Sequence, residues 1–182
     1  MASRVATARI EIEASPLEVW KALTEPALIG EYMFGTKVET DWKPGSRITW
    51  KGEYEGKQFE DRGEILDFDP GHRLSMTHFS AMSGLDDRPD NYHTVVYELE
   101  QRGGTTVVSL SQDGNDSDEA KEQSQSNWEA ILAGLKETVE IADEPTARKV
   151  LRLVEGLEEA DDVQDVYANF DIPEAVLETV AS

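Results

Sequence analysis

The 182-residue sequence contains no cysteine. Disulfides, thiolate nucleophiles and zinc–thiolate centres are therefore excluded. Basic residues are scarce, with 17 Lys and Arg against 38 Asp and Glu, a formal net charge of −21. A chain this negative repels phosphate backbones, so nucleic acid is not expected as a partner. No run approaches the ~18 apolar residues that a membrane span needs, and no membrane partner is expected. The opening residues, Met1 to Arg9, lack an apolar stretch of signal-peptide length, and the expected location is the cytoplasm. The histidines at 72, 78 and 93 do not show a metal-binding spacing such as His-Glu-x-x-His. Neither a metal nor another cofactor is expected.

What is present suits a folded domain: 38% of the residues are hydrophobic and 30% charged, over a length that buries one core and leaves a remainder. The pattern divides near residue 142. Residues Ala6 to Glu13 alternate as a strand. Ser15-Pro16-Leu17-Glu18 is a capping box with proline at the first helical position, and Val19, Trp20 and Leu23 give its helix an apolar face. Thr24-Glu25-Pro26 breaks that helix, and a second short one from Ala27 to Tyr32 leads to the Met33-Phe34-Gly35 corner. From Lys37 to Ser111 period-two strands alternate with turns at Lys43-Pro44-Gly45-Ser46, Gly56-Lys57 and Asp69-Pro70-Gly71, a loop at Ser83 to Asn91, and a hairpin at Arg102-Gly103-Gly104-Thr105. A long helix then runs from about Ser117 to about Ile141, with Trp128, Ile131, Leu132, Leu135 and Val139 as its apolar stripe. An antiparallel sheet needs one face covered, and the terminal helix is the natural cover. The expected class is α+β, a helix-grip fold with a curved antiparallel sheet wrapped around a long C-terminal helix, over residues 1–142.

Three motifs stand in order along this piece: Ser15-Pro16-x-x-Val19-Trp20-x-Ala22-Leu23-Thr24, then Gly63-Glu64-Ile65-Leu66-Asp67-Phe68-Asp69-Pro70 with Arg73-Leu74, then Asn127-Trp128-x-x-x-Leu132-x-x-Leu135-Lys136. Together they resemble the SRPBCC (START/Bet v-like) superfamily over residues 5–141, in the branch named after the activator of the ninety-kilodalton heat-shock protein's ATPase. The resemblance implies a cavity between sheet and helix that takes hydrophobic small molecules. It implies no fixed catalytic motif, so no catalytic residue is carried over. Where many relatives show Trp after Leu-x-Phe-Thr, this chain has His78.

Residues 143–182 form an appendage read as helix, strand and short helix, with 11 acidic and three basic residues. Asp143-Glu144-Pro145 starts its first helix, which carries Ala147, Val150, Leu151, Val154 and Leu157 as a stripe. The stretch from Ala147 to Glu155, with Leu157-Glu158-x-x-Asp161-Asp162-Val163-Gln164-x-Val166-Tyr167-x-Asn169-Phe170-Asp171-Ile172, resembles the C-terminal end of the YebC/PmpR family. That resemblance implies no regulator's activity, because it covers only the end of a three-domain protein. An appendage of this size docks, pairs with another copy to form a homodimer, or stays mobile.

The candidate cavity set is Met33, Phe34, Trp50, Tyr54, Met76, His78, Tyr97, Ser124, Asn127 and Trp128. The aromatic and methionine side chains serve either as core packing or as an adaptable wall for a guest. His78, on the Leu74/Met76 face, either points into the cavity or is a satisfied structural histidine; no partner for acid–base work is identifiable. Ser124 and Asn127 stand where a dry core would want leucine. The expected function is non-catalytic binding of a hydrophobic or aromatic small molecule. The alternatives are a cyclase/hydratase-type enzyme using His78 and a tyrosine, and a co-chaperone or other protein-interaction module.

Overall fold

The computed structural model describes residues 4–54 and 56–158, with side chains for 4–53 and 56–140. The chain divides into two compact units, Met1–Thr138 and Val139–Ser182. The strand and short helix expected between residues 163 and 180 lie outside the described residues.

In the first unit, β1 (Arg4–Ile12) is followed by α1 (Pro16–Thr24) and α2 (Pro26–Tyr32). The capping box forms as the sequence implies: the Glu18 amide donates to Ser15 Oγ, and the Ser15 amide donates to the Glu18 carboxylate at 2.7 Å. Pro26 opens α2 and, lacking an N–H, cannot continue α1. Six strands come next: β2 (Lys37–Glu39), β3 (Arg47–Tyr54), β4 (Lys57–Asp69), β5 (Arg73–His78), β6 (His93–Arg102) and β7 (Thr105–Asn115). They build one antiparallel seven-stranded sheet of order β1-β7-β6-β5-β4-β3-β2. The first and second strands are therefore the two edges, and the α1–α2 pair carries the chain from one edge to the other.

Register decides what faces the covered side. Leu74, Tyr97 and Leu110 lie opposite one another across β5, β6 and β7, as do Met76, Val95 and Gln112 in the next row. Trp50 of β3 sits opposite Asp61 of β4. The seam between β4 and β5 carries a register shift between Ile65 and Asp67. A Cβ built on Gly63 would stand 1.8 Å from the Thr77 carbonyl oxygen, so only glycine fits there.

The long helix α3 (Asp118–Glu158) begins after Ser117, whose Oγ accepts the Ala120 amide at 3.0 Å. Leu132 and Leu135 are completely buried. Gly134 meets α2, where an added Cβ would lie 3.1 Å from the Tyr32 Cβ. The helix also differs from expectation. It does not end near Ile141 to restart at Asp143-Glu144-Pro145, but runs unbroken to Glu158. The flanking Glu, Ala, Arg and Lys residues are good helix formers, and one proline removes a single backbone donor without ending the run. This is the α+β helix-grip fold, a curved antiparallel sheet with a long C-terminal helix.

Candidate ligand cavity

Between the sheet and helices α2 and α3 lies a partly open cavity of about 130 Å³. An engineered apolar cavity of about 150 Å³ admits benzene, so this one has the size of a single ring. Its wall is mainly aromatic and aliphatic, with Trp42, Trp50 and Phe59 toward β3 and β4, and Trp128 from α3. Met33 and Met76 add unbranched side chains that can adjust to a guest.

Six of the ten expected residues line it: Met33, Trp50, Met76, His78, Tyr97 and Trp128. Three lie elsewhere. Phe34 projects from the corner after α2, 89% exposed, with φ 53° in the left-handed region. Ser124 donates to Asn115 Oδ1 at 2.8 Å, and Asn115 in turn donates to the carbonyls of Arg4 and Gln112. The hydroxyl thus tethers the start of α3 to the end of β7. Asn127 is exposed and accepts from Gln123 one turn earlier, at 3.0 Å. The polarity of that helix face serves anchoring rather than a wet cavity. The side chain of Tyr54 lies outside the described residues.

The polar end of the cavity is built on a residue that the sequence reading passes over. Asp61 Oδ2 stands 3.2 Å from His78 Nε2, and Asp61 Oδ1 accepts the Ala81 amide at 3.0 Å. Both side chains line the cavity and both are largely covered, at 14% and 27% exposure. Trp50 packs against the His78 ring, nearly perpendicular, with centroids 5.2 Å apart. Asp61 was legible in one respect: it alternates with Phe59 and Ile65, so an acid occupies a core-facing strand position. Trp42 also lines the cavity. It follows a strand of only three residues, holds φ 54°, and packs on Phe68 at 5.9 Å.

Two phenols complete the wall. Tyr32 donates to the Ala22 carbonyl at 3.3 Å. Burial pushes its pKa well above the ordinary tyrosine value, with the neighbouring Tyr97 adding to the shift. Tyr97 is raised by burial alone. Its ring meets Trp128 edge-on at 6.4 Å, and its hydroxyl has no hydrogen-bond partner among the described residues. Trp128 is held in place by donating Nε1–H to Gln112 Oε1 at 2.6 Å. Among the described residues no cluster of three metal-ligating side chains occurs, and no helix is long and apolar enough to cross a membrane.

A seven-stranded sheet gripping a terminal helix over a ring-sized cavity defines the class of helix-grip proteins. Within that class the chain belongs to the family described as Activator of Hsp90 ATPase homolog 1-like protein, which matches residues 13–140. The solution structure of a Cytophaga hutchinsonii protein is 43% identical, with a TM-score of 0.67 over 76% of this chain and 94% of that one. The Aha1 dimer from Colwellia psychrerythraea shares the fold at 19% identity, with a TM-score of 0.58 over 74% of this chain and 95% of that one. A different likeness covers a short stretch. A probable transcriptional regulatory protein of Sulfurihydrogenibium is 63% identical over 41 residues, 22% of this chain but 16% of that protein. This agrees with the YebC-like character of residues 147–172. The chain spans no more than about a quarter of such relatives.

Proposed function

We propose that the protein binds a small aromatic molecule in the cavity between the sheet and α3. The observation that carries this reading is the cavity itself, lined by tryptophan and methionine, with Asp61 and His78 at its polar end. Family membership supports the reading, since the superfamily to which the sequence pointed uses this space for hydrophobic ligands. Native mass spectrometry of freshly purified full-length protein tests it. The expected result is a bound small molecule in the unmodified protein and its loss in Val95→Phe, which fills the cavity from the sheet. An empty protein that also fails to take up any single-ring aromatic in tryptophan-fluorescence titrations would sink it.

One observation favours a second reading, an enzyme of the cyclase/hydratase kind. Two ionisable groups, Asp61 and His78, stand within hydrogen-bond reach of each other in the wall. Turnover of a bound guest, rather than its release unchanged, separates the two readings.

A further inference from the structure

We propose that the Asp61–His78 pair makes the cavity a receptor for a ring bearing an acidic hydroxyl, a phenol, whose proton passes to Nδ1 of His78. The inference rests on the cavity's being a binding site and goes on to name the chemical class of its guest.

The argument begins with Asp61. An ionised carboxylate only accepts, so the contact to His78 requires a proton on Nε2. In the neutral ring the lone pair is then on Nδ1, and no described residue bonds to that atom. The carboxylate is itself fixed at its other oxygen by the Ala81 amide. Asp61 is therefore a positioning residue: it sets the tautomer, holds the ring against Trp50, and stabilises the imidazolium once formed. In the step itself the phenol O–H bond breaks, an N–H bond forms at Nδ1, and the electron pair stays on the phenol oxygen. Nothing is oxidised and nothing leaves.

The remaining titratable groups do not compete for this role. Tyr97 on β6 and Tyr32 on α2 are held neutral by burial. His93, opposite His78 on β6, directs its Nδ1 to the Asp113 carbonyl at 2.9 Å. The other elements of the wall contribute no titratable side chain. The rest of the cavity, with its tryptophan, phenylalanine and methionine side chains, suits the aromatic part of such a guest.

The experiment uses full-length protein and two probes: 4-nitrophenol, which turns yellow on losing its proton, and nitrobenzene, which has no hydroxyl. Binding is followed by tryptophan quenching and ionisation by the phenolate band across pH. The expected result is that bound 4-nitrophenol ionises about one pH unit below the free compound, a tenfold change in its ionisation constant. His78→Gln should erase that shift, Asp61→Asn should reduce it, and Asp61→Glu should restore part of it. Thermal melting confirms that each variant is folded. Nitrobenzene bound, but 4-nitrophenol held neutral or shifted equally in His78→Gln, would overturn the proton-accepting role and leave the cavity reading standing. Failure of both probes to bind the unmodified protein would overturn both.

Discussion

At the scale of single residues, the cavity's chemistry depends on side chains kept neutral or oriented by burial. Tyr97 is the clearest case. Its hydroxyl is inside the folded protein with a pKa raised by desolvation, whereas in the unfolded chain it titrates near ~10. A group whose folded value is the higher contributes stability that is complete below the unfolded value. That stability is lost as pH climbs toward the folded value, because the unfolded chain releases its proton first. Thermal melting should therefore show stability falling above pH ~10, by up to about 1.4 kcal/mol per pH unit for each such tyrosine. Tyr97→Phe should flatten that alkaline slope, and an unchanged slope would show that the phenol is not buried. The residue scale is also where sequence reading failed. Of the six cavity-lining residues, Trp50, Met76, His78 and Tyr97 followed from strand alternation, Trp128 from the helical stripe, and Met33 from the corner after α2. Asp61 did not, because its importance arises from pairing with a histidine 17 positions later, across a strand seam whose register no local pattern announces. Ser124 misled for the opposite reason: its partner, Asn115, lies at the end of a strand nine residues earlier, so a tether looked like a wet wall.

At the scale of elements, the local signals were reliable where short-range physics decides. The Ser15–Glu18 box, the proline at the start of α1, the helix break at Thr24-Glu25-Pro26 and the two-residue loop at Gly103-Gly104 all formed in place. The passage of α3 through Pro145 did not follow from the same rules, because continuing a helix that is already nucleated costs less than starting a new one. At Gly63 the β4–β5 seam leaves no room for a side chain. Gly63→Ala places a methyl group on the Thr77 carbonyl, a backbone atom that cannot rotate away. The expected loss is about 3 kcal/mol or more. Urea unfolding should report it as a lower midpoint at unchanged slope. A near-neutral result would mean that the seam spreads readily, and the placement of Asp61 beside His78 would then lose its rigid support.

At the scale of the whole molecule, the excess of 21 negative charges is the dominant electrostatic fact. The observed ion pairs sit largely at the surface, such as Lys51–Glu39 at 2.7 Å and Arg62–Asp87 at 2.9 Å, and exposed pairs of this kind contribute little. Repulsion among the remaining carboxylates opposes compaction. Added salt shortens the screening length from about 30 Å at 0.01 M to about 3 Å at 1 M. The melting temperature at neutral pH should therefore rise by several degrees over that range. A fall would show that the surface ion pairs outweigh the repulsion.

The contact between Gly134 and Tyr32 works as a shim of zero thickness. With no side chain at 134, α2 seats directly on α3, and Tyr32 is pressed into the roof of the chamber. An alanine there would require Tyr32 to give way by a few tenths of an ångström, without altering any residue of the sheet floor. Gly134 thus governs how closely α2 seats on α3 above the chamber, on the side opposite the sheet that carries Asp61 and His78.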